Sequence, residues 1–289
     1  MRRRHARPSL CALLAVALGG CAVGGTSLPY AGPPNNAGGG SGSNVPAGTG
    51  SALIRFVQGS VGYASVDVCV DQLPLAYTGS SVAYSHASAL YAVSGGNGSA
   101  HVISVYAPTA GTAPGSECAT APGPYFGEAP IAYTVLSPPA STTGSRLTVV
   151  LGGRGTATSA LYVFAEPDFA AVPAGIQAVA HNVAEGEPLT FGYLSASGDT
   201  PIPGETSVPI AKPSGTTAVV NQATGPSLLP TQPSSPLTFT AQAYVEPTPA
   251  EVSVGAPSSP ATYELYAVNG ANNFLSLIAV QETTTGYGF

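Results

Sequence analysis

The chain's most specific chemical signal is a cysteine placed for acylation. Arg2, Arg3, Arg4 and Arg7 precede an apolar run from Leu10 to Leu18, which ends in Leu18-Gly19-Gly20-Cys21. That run is shorter than the ~20 residues a bilayer span requires, so it reads as a signal-peptide core rather than a permanent helix. A medium apolar residue at −3 and small residues at −2 and −1 let a peptidase reach the bond before a lipid-modified cysteine. Residues 1–20 are therefore expected to be a lipoprotein signal peptide, with Cys21 carrying palmitate and further acyl chains. Two or more chains anchor stably, at about 0.8 kcal/mol per buried CH₂. The alternatives are an ordinary signal peptide with an incidental cysteine and a twin-arginine signal, though no Phe-Leu-Lys-like continuation follows the arginines. Ala22 is not the aspartate of inner-membrane retention, so a diderm host would sort the chain to its outer membrane.

Other chemistry is harder to find. Nucleophilic catalysis needs a nucleophile with an aligned base, and neither a Gly-x-Ser-x-Gly elbow nor a His-Glu-x-x-His helix occurs. His86, His101 and His181 are scattered over strand-like segments and read as hydrogen-bonded or exposed strand histidines. Glu166-Pro167-Asp168 and Glu185-Gly186-Glu187 read as solvated turns, with a weak calcium site as the sharper alternative, since converging carboxylates supply the oxygen ligands calcium prefers. Asp67 and Asp71 share one face of a strand about 13 Å apart, too far to chelate one ion, and read as solvent-facing. Fourteen tyrosines and no tryptophan fit sheet packing at Tyr84, Tyr91, Tyr162, Tyr193, Tyr263 and Tyr266, or a glycan-binding face. No catalytic motif, metal site or cofactor site emerges. A non-enzymatic binding or structural module, with a protein or glycan ligand, is expected; the alternative is a glycan-acting hydrolase with paired carboxylates in a loop cleft.

Composition narrows the partners. The signal holds four of the eight basic residues and none of the fourteen acidic ones, so the mature chain carries a net charge of −10. Such a surface has no basic footprint for nucleic acid. With Cys11 removed and Cys21 lipidated, Cys69 and Cys118 remain, and in an oxidising envelope they are expected to pair. A metal or redox pair would need further ligands or a Cys-x-x-Cys spacing.

These residues must be positioned by strands. Thirty-six Gly, 28 Pro and 8% charged residues exclude a helical bundle, while 44% apolar content argues against disorder over most of the chain. Residues 21–50 are a Gly/Ser/Pro-rich tether, and about 28 such residues span roughly 30 Å. Strand candidates follow at Leu53–Val57, Val66–Val70, Ser81–Val93, His101–Tyr106, Ile131–Leu136, Arg146–Leu151 and Leu161–Ala165. A second set lies at Ile176–Val183, Leu189–Leu194, Val208–Ala211, Ala218–Val220, Leu237–Val245, Tyr263–Val268 and Phe274–Val280, with Gly225–Pro236 as a long loop. Seven or so short strands per half predict two tandem immunoglobulin-like β-sandwiches, residues 51–170 and 175–289. The hairpin 146–165 matches the hairpin 263–280, each preceded by a strand that runs into proline.

Leu53-Ile54-Arg55-Phe56-Val57-Gln58-Gly59-Ser60, followed by Ser65-Val66-Asp67-Val68-Cys69-Val70-Asp71, resembles the opening of the bacterial "domain of unknown function 4397" family. Val82-Ala83-Tyr84 and Ala100–Tyr106 fit its following strands. The resemblance covers residues 51–168 well and 176–282 faintly. Gly62-Tyr63 replace the usual proline of the first turn, and the loop around Cys118 is inserted. The resemblance implies a tandem sandwich in an exported lipoprotein and implies no activity.

Overall fold

Strands with apolar residues at nearly every position are buried on both faces, whereas alternating strands have one face in water. The chain contains both kinds, in a computed structural model that describes residues 51–71, 73–75, 81–94, 100–120, 130–136, 145–155, 157–166, 175–186, 188–207, 209–214, 217–222, 226–231, 233–243, 248–256, 260–271 and 274–282. The first half holds β1 (Ser51–Gln58), β2 (Ser65–Val70), β3 (Leu73–Pro74), β4 (Val82–Ala83), β5 (His86–Ala87), β6 (Tyr91–Ser94), β7 (His101–Tyr106), β8 (Ala132–Leu136), β9 (Ser145–Gly152), β10 (Ala160–Ala165) and a short helix, α1 (Ser116–Thr120). The second holds β11 (Ile176–Asn182), β12 (Leu189–Ser195), β13 (Gly198–Ser207), β14 (Val220–Gln222), β15 (Ser227–Leu228), β16 (Leu237–Ala243), β17 (Ala250–Val254), β18 (Ala261–Asn269) and β19 (Leu275–Glu282). The protein is all-β. Cys21 lies outside the described residues.

Four sheets stack in layers. The order β3-β2-β7-β8 forms an outer sheet, and β14-β10-β9-β1-β5 the inner sheet against it. The order β15-β11-β18-β19 forms the second inner sheet, backed by the outer sheet β13-β12-β16-β17. Side-chain parity assigns each face. Ile54, Phe56, Leu147, Val149, Leu161 and Val163 face Val66, Val68, Ile103, Val105 and Leu136 in the first core. Ala178, Ala180, Tyr263, Leu265 and Ala267 face Phe191, Tyr193, Leu237 and Phe239 in the second. The intervening residues of the inner strands, Val57, Val150, Tyr162, Phe164, Tyr266, Val268 and Ile278, pack the two inner sheets on each other.

The two halves repeat one plan. β1 runs parallel to β9, which forms a hairpin with β10; β11 runs parallel to β18, which forms a hairpin with β19. In the outer sheets β2-β7-β8 matches β12-β16-β17. The strand equivalent to β8 is thus β17, which the sequence pattern passes over between proline clusters, and not the segment 237–245.

Other expectations shift for physical reasons. Residues 81–93 are not one strand: β4 pairs with β2 and β5 with β1, so the chain changes sheets at a corner where Ser85 adopts φ +64°. β13 contains Pro201 and Pro203 yet is a strand, because it lies at a sheet edge where no ladder donor is missed. Gly225–Pro236 is not wholly loop, since β15 pairs with β11. Residues 209–211 form no strand, and Ile210 packs at the junction of the inner sheets. From there the chain crosses to the first half: the Ala218 N–H donates to the Val135 carbonyl, and β14 lies parallel to β10.

Two glycines let the inner sheets approach. A Cβ on Gly59 would meet Val268 Cγ1 at 2.5 Å, and one on Gly152 would meet Val183 Cγ1 at 2.7 Å. Gly59→Ala and Gly152→Ala should each destabilise by about 1–3 kcal/mol through overpacking, measured by urea unfolding. Gly155→Ala, where nothing lies within 4 Å, should stay near neutral.

Candidate functional site

An arginine in the middle of a two-face-buried strand must be met by charges from the facing sheet, because an unpaired buried ion costs several kcal/mol. Arg55 is that residue. Its neighbours Ile54 and Phe56 enter the first core, which sends Arg55 to the junction face, where its side chain is 4% exposed. Its Nη1 donates to Glu264 Oε2 at 2.9 Å and also to Glu282 Oε1. Arg146 of β9 donates to the other oxygen of Glu282. Glu264 is 0% exposed.

A second group adjoins the first. His181 of β11 stacks on Tyr266 with ring centroids 5.0 Å apart and tilts against Phe164 at 4.3 Å. Its Nε2 lies 3.4 Å from Glu166 Oε2. The Tyr266 hydroxyl stands 2.6 Å from Glu264 Oε2 and 3.2 Å from Glu166 Oε1, linking the two groups.

Environment separates the carboxyls. Burial, then the neighbouring Glu166 and Glu282, push Glu264 up to about 8, against the pull of Arg55 and the Tyr266 hydroxyl. Burial also opposes ionisation of Glu166, but His181, Thr148 and Arg55 outweigh it and hold that carboxyl below its ordinary value. Burial opposes the Arg55 cation too, and Glu264 and Glu282 overcome it, so its pKa is raised. Tyr266, buried beside Glu166 and Glu264, is held well above an ordinary phenol.

Several residues read from the sequence lie elsewhere than expected. Glu166 is not a solvated turn; its side chain is 2% exposed because the second inner sheet covers it. Asp168 and Glu187 lie outside the described residues. Glu185 is half-buried, and its N–H donates to Asn269 Oδ1 at 3.2 Å. Among the described residues no three His, Cys, Asp or Glu side chains group to hold a metal.

Asp67 does not face solvent either. It is 2% exposed, accepting from the Ser81 hydroxyl and the Gly115 N–H. The segment 107–120 folds over this end of β2, pinned by a disulfide between Cys69 and Cys118, whose Cα atoms are 5.4 Å apart. Burial and nearby Glu117 raise the Asp67 pKa. Backbone hydrogen bonds and Asp67 outweigh burial at Glu117 and push it down to about 2. Asp71 follows β2 at φ +49° and accepts from the Val102 N–H at 2.8 Å, with His101 Nδ1 2.6 Å away. His86 is exposed, its ring against the Tyr84 carbonyl.

Tyr162, Tyr193, Tyr263 and Tyr266 are fully buried, so packing accounts for them. A recess lies on the outer face of the β12–β13–β16 sheet, about 480 Å³ in volume and lined by Thr190, Gly192, Asp199, Pro201 and Gln242 among others. There Thr240 Oγ1 donates to Asp199 Oδ1 at 2.8 Å over Gly192, which has no side chain to fill the space.

No family model and no curated protein matches the chain.

Two measurements follow from this geometry. Arg55→Met removes the donor shared by Glu264 and Glu282 and leaves Glu282 buried with Arg146 alone, and should cost about 3–5 kcal/mol, read by urea unfolding, whereas Arg154→Met near the surface should change stability by about 1 kcal/mol or less. Reducing the Cys69–Cys118 bridge, which closes a 49-residue separation, should cost about 4 kcal/mol on chain entropy, and the unreduced chain should show neither of these thiols on titration.

Proposed function

We propose that the chain is a lipid-anchored protein of the cell envelope whose tandem sandwiches, immunoglobulin-like and akin to the "domain of unknown function 4397" family, form a non-enzymatic binding or structural module. The anchor is Cys21, joined through the tether of residues 21–50, and a diderm host would carry the protein on its outer membrane. No described helix is long and apolar enough to cross a membrane.

The observation that carries the molecular part is the junction of the inner sheets. Charges and apolar side chains from both halves interlock there, which favours one rigid body held off a membrane over two lobes closing on a substrate. Hydrolytic chemistry has less support, since Glu166, Glu264 and Glu282 face arginine, histidine and tyrosine inside that junction rather than water. The outer recess beside Asp199, where polar groups flank Pro201, is a candidate place for a ligand of the protein or glycan class.

Palmitate labelling of cells expressing the chain tests the anchor. Label should be incorporated and should vanish in Cys21→Ala; label that persists in the variant overturns the assignment. Glycan-array and pull-down screens comparing the wild type with Asp199→Ala test the recess.

A further inference from the structure

The hydrogen-bond count around Tyr266 does not close with every acid ionised. A phenol has one proton to donate, yet its oxygen stands within hydrogen-bond distance of both Glu264 Oε2, at 2.6 Å, and Glu166 Oε1, at 3.2 Å. Both contacts are satisfied only if one carboxyl brings a proton of its own. Charge gives the same answer. The groups acting on Glu264 are Arg55 of β1, Tyr266 of β18 itself, Glu166 after β10 and Glu282 of β19; around them Arg146 of β9 pairs with Glu282, and Thr148 of β9 and His181 of β11 meet Glu166. Three carboxyls thus face two guanidiniums, and the remaining group able to carry positive charge, His181, sits beside Glu166 and not Glu264. Glu264 is 0% exposed, and its Oε1 is buried with no hydrogen-bond partner among the described residues, a position far more costly for an anion than for a neutral acid.

We propose that Glu264 is held as a neutral carboxylic acid that donates to Tyr266, which in turn donates to Glu166, so that the junction between the sandwiches is a pH-sensitive latch that tightens as its surroundings acidify. Deprotonation removes the first link of that chain and adds a carboxylate beside Glu166 and Glu282 in a dry interface.

The sign follows from linkage. A carboxyl raised to about 8 from the ordinary 4.5 binds one proton more in the folded than in the unfolded state between those limits. Stability from Glu264 is therefore complete below the lower limit and is lost as pH rises through the upper one. Glu166 acts oppositely, its contribution disappearing only in stronger acid.

Urea unfolding of the full chain in detergent, from about pH 5 to about pH 9, tests the latch against Glu264→Gln, which keeps the shape and neutrality of the acid. The wild-type folding constant, divided by that of the variant, should fall roughly tenfold per pH unit across most of the window and level off above about pH 8. Asp67 and Glu117 lie in another part of the fold and cancel in the ratio. His181→Asn should retain the wild-type slope. A ratio that does not change with pH, or a slope lost in His181→Asn and kept in Glu264→Gln, overturns the proposal. Should Glu264→Gln not fold, infrared spectra of ¹³C-glutamate-labelled wild type decide: a protonated glutamic-acid carbonyl band at neutral pH supports the latch, and its absence overturns it.

Discussion

Two guanidinium groups set between sheets constrain everything around them. Each must meet carboxylates, or the ion alone would cost several kcal/mol, and the carboxylates come from strands that are remote in sequence. Glu264 and Glu282 lie 209 and 227 residues from Arg55. Both inner sheets must therefore hold their register, with Arg55 beside Thr148 and His181 beside Tyr266. A one-residue slip would turn Arg55 into the first core and Phe56 out to the junction. The glycines at 59 and 152 serve the same end, because the ion pairs form only if the sheets come close.

Much of this architecture was legible in the sequence. Strands such as β7, β9, β10 and β18 are apolar runs bounded by turn residues, and the equivalence of β9–β10 with β18–β19 follows from the hairpin pattern. The junction was legible only in part. Arg55 between Ile54 and Phe56, and Glu264 between Tyr263 and Leu265, are charges inside otherwise apolar strands, the signature of a second buried face. Glu166 gave no such signal, since Pro167 beside it mimics a turn. His181 resembles any strand histidine until the facing sheet supplies Tyr266 and Phe164. What the pattern lacks is the partner layer, which only tertiary packing provides.

Asp67 shows the same limit on a smaller scale. Alternation along β2 assigns it to water, and in a bare sheet it would be there. The segment 107–120 covers that face, and its Gly115 N–H, with the Ser81 hydroxyl, replaces solvent. Local period reports which side a residue takes; the segments that fold over it decide what that side meets.

The crossing of residues 217–222 means that the halves are not separable parcels of chain. β14 belongs by sequence to the second half, yet it completes the sheet edge at β10 and sends Val220 against the first core. A fragment ending near residue 170 would bare the row of unpaired amides and carbonyls along β10, together with the apolar face normally covered by Tyr266 and Val268. An uncovered edge of that kind recruits strands from other molecules. Shuffling one sandwich out of this chain would thus require a new edge strand as well as a new partner.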